Sequence, residues 1–277
     1  MKLEKEDYMD PACPLCGKPG ETETAQPVPQ GRIQEKLRAY EDASDWAGAE
    51  RHLLYWLREA EMNRDERGQL MLCNELMGFY RKQGSREPAM EYAGKAAELV
   101  RRLKMEDTIT AGTTWVNVGT VHEAFRDPVG GLTWFEQARE CYERNLPAGD
   151  ERLGGLYNNM ALSLTSCGRY AEARELFGKA LDVMEKQEHG EPEQAITLLN
   201  MADALEAELG PEGAAEEAEA YLDRAAELLN TQDLPRNGYY AFVCEKCAPV
   251  FGHYGYFAAE EELRKRAKEI QENHEGA

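Results

Sequence analysis

A segment of about 42 residues recurs along the chain. Residues 72–97, 114–139 and 156–181 each have the pattern of two short amphipathic helices around a tight turn. A large residue marks the first helix of each copy, and these anchors are 40 to 46 residues apart at Ile33, Cys73, Trp115, Tyr157, Leu198 and Cys244. A fixed period of this length is typical of solenoids. The sequence therefore predicts an all-α fold of about six helical hairpins.

Small residues recur where the two helices of a copy would touch. They are Ala89 and Ala96 in the second copy, where Met77 takes the first position, Gly119, Gly131 and Ala138 in the third, Ala161, Ala173 and Ala180 in the fourth, and Ala202, Ala218 and Ala225 in the fifth. This pattern resembles the tetratricopeptide repeat (TPR), and the run Tyr157-Asn-Asn-Met-Ala161 is similar to kinesin light chain repeats. The resemblance covers about Ile33 to Ile270. It implies a right-handed α-α superhelix, a TPR solenoid, with a concave groove.

The predicted organisation has three parts. An N-terminal Cys-Pro-Leu-Cys-Gly arm with a flexible linker occupies 1–30, the TPR solenoid occupies 31–272, and a tail occupies 273–277. The predicted repeat units are 31–68, 69–108, 111–150, 153–190, 194–232 and 239–272. The fifth unit contains about four extra residues around 209–214, so we expect a longer turn there.

Composition and motifs exclude several classes of function. The chain has 32 Lys+Arg against 52 Asp+Glu, a net charge of −20, which argues against a nucleic-acid partner. It has no run of about 18 apolar residues, and residues 1–10 are too charged for a signal peptide. We therefore expect no membrane span and a cytoplasmic protein. GxxxxGK[ST] and GxSxG motifs are absent, and no catalytic residue is predicted, so we expect a protein that is not an enzyme.

Two pairs of cysteines have different interpretations. Cys13 and Cys16 resemble a zinc-knuckle half-site, but tetrahedral zinc needs four ligands. This pair therefore predicts either a bound zinc or other soft metal, or a metal-free arm. Cys244 and Cys247 lie three residues apart on the predicted buried face of a helix, which favours a core role over a shared metal site or a redox dithiol.

The first helix of each hairpin should line the concave side, and its polar residues are the candidate peptide-binding residues. Asparagine recurs just after the anchors, and a carboxamide can pair with the main chain of an extended peptide. In kinesin light chain repeats such asparagines grip cargo peptides, although Asn can also bridge neighbouring helices. Charged residues at both ends would add selectivity. The predicted set is Asn74, Arg81, Lys82, Asn117, Thr120, Asn158, Asn159, Asn200, Asp203 and Glu206.

These observations favour a scaffold that holds an extended protein or peptide segment in the groove. The chaperone-tail clamp of some TPR proteins is not expected, because Gly155 and Asn159 occupy positions where it needs Lys and Arg. Two alternatives stay open: a zinc-dependent assembly adaptor that uses Cys13 and Cys16, and a regulator similar to peptide-pheromone receptors. Aromatic residues cluster near the last unit, at Tyr239, Tyr240, Phe242, Tyr254 and Tyr256. Most of them should be core or cap residues, although an uncovered patch could mediate homo-dimerisation.

Overall fold

The computed structural model describes residues 26–275, and within that range it is entirely helical apart from turns. The chain divides into two compact units, which meet in sequence at Asp127 and Pro128. Unit 1 contains α1 (Gln30–Asp42), α2 (Trp46–Met62), α3 (Glu66–Lys82), α4 (Arg86–Arg102) and α5 (Ile109–Ala124). Unit 2 contains α6 (Pro128–Asn145), α7 (Glu151–Ser166), α8 (Tyr170–Met184), α9 (Glu191–Leu229), α10 (Gly238–His253) and α11 (Phe257–Glu275).

In unit 1 each helix packs against the next one along the chain, and α3 also packs against α5. The contact between two first helices of successive hairpins is what stacks one hairpin on the next. Met77, Ala89 and Ala96 are fully buried, as the small-residue pattern predicts. An alanine at a helix contact lets the two backbones approach closely, so these positions set the packing of the α3/α4 hairpin.

Unit 2 repeats this arrangement. Neighbouring helices pack in sequence from α6 to α11, and α7 also packs against α9. The predicted small residues of the fourth and fifth copies are buried with at most 1% exposure. Two predicted core cysteines, Cys244 and Cys247, are likewise buried beside Phe251. Burial raises the pKa of the Cys247 thiol to about 12, and the predicted core role of this pair is confirmed.

Short turns between helices are fixed by side-chain caps. The Asp45 carboxylate accepts a hydrogen bond from the Gly48 amide at 2.8 Å, and Asp65 caps α3 through Gly68 at 2.9 Å. Asp65 also accepts from the Val28 amide at 2.9 Å. Such caps satisfy amides that have no partner inside the helix. Asp65 therefore fastens the segment that precedes α1 to the start of α3.

The longer turn expected around 209–214 is wrong. The structure has a sharp bend at Gly210 inside α9, where φ is 75° and ψ is 167°, and the extra residues lengthen the helix on either side. Pro211 has no amide hydrogen, so it cannot donate the usual helical hydrogen bond to the Ala207 carbonyl four residues earlier. The Tyr170 hydroxyl donates to that carbonyl at 3.1 Å instead. The bend therefore reorients the chain between two helical segments without an intervening loop.

The aromatic cluster near the last unit is partly buried. Tyr240 is only 1% exposed, and its hydroxyl donates to the Leu229 carbonyl at 2.7 Å, which removes it from the predicted patch. Tyr239 and Phe242 are about half exposed, and their rings are 6.2 Å apart. Tyr239 and Phe242 thus leave a small exposed aromatic surface on α10.

Candidate functional site

Five of the predicted peptide-binding residues line one cleft in unit 1. They are Asn74, Arg81 and Lys82 on α3, and Asn117 and Thr120 on α5. The cleft, here called the unit 1 cleft, has a volume of about 200 Å³ and is completed by Leu37, Glu41, Glu75, Met77, Gly78 and Phe79. The packing of α3 against α5 brings residues about 40 positions apart in sequence into this one concavity.

Two asparagines of the unit 1 cleft bridge its helices. The Asn117 amide donates to the Asn74 side-chain oxygen at 2.9 Å. Asn74 uses its own two N–H groups on the Leu70 carbonyl at 2.9 Å and the Thr114 hydroxyl at 3.2 Å. Asn117 keeps a second N–H and its carbonyl oxygen for other partners. The two amides therefore have different roles, because Asn74 positions Asn117 and Asn117 presents the free groups.

Charged residues of the unit 1 cleft come from α1 and α3. Lys82 forms an exposed ion pair with Glu41 at 3.1 Å. Burial raises the pKa of the Glu75 carboxyl, which a hydrogen bond with Gln34 partly offsets. Burial also lowers the pKa of Arg81. The sequence predicted Arg81 and Lys82 as binding residues but not Glu75, because no motif distinguishes Glu75 from the other acidic residues of the chain.

In unit 2 a second pair of asparagines joins α7 to α9. The Asn200 amide donates to the Asn158 side-chain oxygen at 3.0 Å. Asn159, the third asparagine here, is partly buried on α7. The position that corresponds to Asn74 and Asn158 in the third repeat is Val116, which has no side-chain acceptor. Bridging by asparagine therefore occurs once within each unit, at equivalent positions of the repeat.

The two predicted acidic residues of the groove line a separate cleft in unit 2, of about 510 Å³. Glu206 faces His253 at 3.2 Å, and desolvation raises the pKa of Asp203. This unit 2 cleft is completed by apolar residues of α9 and α10, namely Ala207, Pro211, Pro249 and Val250. The bend at Gly210 shapes its wall, because it places Pro211 at the rim. Sequence reasoning missed His253, which carried no motif.

The predicted metal ligands Cys13 and Cys16 lie outside the described residues. Across residues 26–272 no group of three or more His, Cys, Asp or Glu side chains is arranged to hold a metal ion. Zinc at Cys13 and Cys16 stays a prediction from the sequence.

Stacked helical hairpins with clefts lined by their first helices define an all-α helical-repeat fold similar to TPR solenoids, as the sequence predicted. The Tetratricopeptide repeat family model matches residues 152–231, which span α7, α8 and α9. Proteins with this repeat fold generally serve as protein–protein interaction scaffolds and are typically not enzymes. A search of curated proteins found no match.

Solved structures with the same fold cover about three quarters of the chain. BtubC (BKLC) from P. vanneervenii superposes with a TM-score of 0.63 at 18% identity, over 75% of this chain and 84% of that one. The nearly identical TPR-like repeats of a kinesin-light-chain-type protein from Podosopora anserina give a TM-score of 0.52 at 15% identity, over 76% and 98%. At these identities the likeness concerns the fold. No helix among the described residues is long and apolar enough to cross a membrane.

Proposed function

We propose that this protein is a non-enzymatic scaffold that holds an extended peptide segment of a partner protein against its first helices. The observation that carries the proposal is the unit 1 cleft, in which five residues selected from the sequence line one concavity. Its polar groups come from side chains that the fold already holds in place, so little side-chain entropy is lost when a ligand binds.

Asn117 and Asn200 are the residues expected to bind the peptide main chain. Each donates one N–H to the neighbouring asparagine and retains one N–H and one carbonyl oxygen. That remaining pair matches the N–H and C=O groups of an extended backbone, whatever its side chains. Asn74 acts differently, because both of its N–H groups are used within unit 1. We assign Asn74 a positioning role.

The experiment uses a peptide array with the purified full chain as the probe. The array holds blocked ten-residue peptides of randomised sequence, and retention of the labelled chain is measured. Each asparagine contributes two hydrogen bonds of about 1 kcal/mol each, so changing both Asn117 and Asn200 to Ala should reduce retention at least tenfold even where a peptide contacts only one of them. Asn230→Ala is the matched control, since Asn230 is exposed at the end of α9 and outside both clefts.

Equal retention by the double variant and the wild type would show that the two asparagines do not bind the peptide. Far-UV circular dichroism of each variant checks that the helices are intact. Asn74→Ala should lower retention as well, because Asn117 loses the acceptor that orients it.

A further inference from the structure

Arg81 lies in the unit 1 cleft with no ion-pair partner among the described residues. It is partly buried, and burial alone accounts for the lowering of its pKa. The adjacent Lys82 differs, because it is exposed and pairs with Glu41 at 3.1 Å. A guanidinium that loses water without gaining an anion costs folding free energy. Arg81 is therefore poorly explained as a residue that stabilises the fold.

The residues that share the cleft with Arg81 can accommodate an anion. Asn117 offers an N–H that its bond to Asn74 leaves unused. The Thr120 hydroxyl donates to the Val116 carbonyl at 2.8 Å, so it adds no donor of its own, and the N–H groups of Arg81 and Asn117 are the ones that remain for an anion. Glu75 also lines the cleft, and burial raises the pKa of its carboxyl.

The charges of the chain are distributed unevenly, and this favours unit 1 for an acidic ligand. Residues 26–127 contain 15 Lys+Arg and 17 Asp+Glu, which nearly balance, whereas residues 128–277 contain 14 and 29. Repulsion of an acidic segment is screened beyond about 8 Å at physiological salt. Within the cleft lining itself, Arg81 and Lys82 equal Glu41 and Glu75 in number, so an acidic group that reaches Arg81 does not meet an excess of negative charge among the lining residues.

We propose that the unit 1 cleft recognises a carboxylate of the bound peptide, and that Arg81 is the residue that binds it. The carboxylate belongs to an Asp or Glu side chain or to the C-terminus of the ligand. A guanidinium pairs with a carboxylate through two parallel N–H···O bonds, which gives direction as well as affinity. This inference rests on the proposed peptide-binding function and names the ligand chemistry of one of its two clefts.

The test uses four sets of randomised ten-residue peptides that contain no other acidic residue. Three sets have blocked ends and a central Glu, Gln or Lys, and the fourth has a central Gln and a free C-terminal carboxylate. Wild-type protein should retain the Glu set, the free-carboxylate set or both about tenfold more than the blocked Gln set. The more strongly retained set identifies the source of the carboxylate.

Variants of two arginines show whether Arg81 is responsible. Arg81→Gln should lower retention of the acidic sets to the level of the blocked Gln set, and Arg81→Lys should keep part of the preference. Arg86→Gln is the matched control and should keep the preference, since Arg86 is exposed on α4 and outside both clefts. Equal retention of acidic and neutral sets by the wild type would overturn the inference alone. If the wild type retains none of the four sets, the proposed function fails and this inference fails with it.

Discussion

Replacing Gly210 by Ala tests whether the bend in α9 is built into the backbone. At φ 75° and ψ 167° the residue occupies a region that is essentially restricted to glycine, so an Ala there costs about 1–3 kcal/mol. No atom lies within 4 Å of where its Cβ would stand. The cost therefore comes from the backbone conformation and not from a clash, which makes the expected sign clear.

The matched control is Gly178→Ala, in the middle of α8. Its Cβ would also meet no atom within 4 Å, but this glycine has helical geometry, so Ala should stabilise unit 2 by about 0.5–1 kcal/mol. Urea unfolding followed by far-UV circular dichroism should place the midpoint of Gly210→Ala below that of the wild type and the midpoint of Gly178→Ala above it. Hydrogen exchange should show faster exchange around residue 210 in the first variant.

A midpoint for Gly210→Ala at or above that of the wild type, with Gly178→Ala behaving as expected, would refute the reasoning. It would mean that residue 210 is compatible with a helical backbone and that α9 can run straight through the bend.

Three further outcomes follow from burial and capping. Gly68→Ala should destabilise unit 1 by about 1–3 kcal/mol because its Cβ would overlap the Asp65 cap, whereas Gly94→Ala, with open space around it, should stabilise it by about 0.5–1 kcal/mol; thermal unfolding of both variants checks this. Burial raises the pKa of Glu75 in the folded state, so its contribution to stability is fully present below about pH 4 and is lost as pH rises through the folded pKa. Glu75→Gln should therefore raise the urea midpoint at pH 7 and leave it nearly unchanged at pH 4, and equal effects at both values would contradict the assignment. With a thiol pKa raised to about 12, Cys247 should not react with a thiol reagent at pH 8 until the protein is unfolded, as mass spectrometry of the labelled peptide would show.

The sequence predicted the hairpin fold because the fold depends on short-range periodicity and on small residues at fixed positions. It did not predict the bend at Gly210. Gly and Pro in succession usually indicate a loop, and the local pattern did not reveal that the extra residues would continue the helix. The sequence predicted that most aromatic residues of the last unit are core or cap residues. It did not distinguish the buried Tyr240, whose hydroxyl donates to the Leu229 carbonyl of another helix, from the half-exposed Tyr239 and Phe242.

The candidate site was only partly predictable. Repeat register alone selected five residues that line the unit 1 cleft, because register determines which side of a helix a residue occupies. It did not distinguish the roles of Asn74 and Asn117, since their hydrogen bond joins side chains 43 positions apart. The lack of an ion-pair partner for Arg81 among the described residues depends on tertiary packing in the same way.

Asn74 uses both of its side-chain N–H groups within unit 1 and Asn117 uses only one. This difference has a consequence for how the protein can evolve. A change at Asn117 alters the hydrogen-bonding groups that the cleft presents to a ligand, and it leaves the hydrogen bonds of Asn74 to Leu70 and Thr114 in place. A change at Asn74 removes a support on which its neighbour depends. Among related chains, position 117 should therefore vary as ligand preference changes, whereas position 74 should vary less.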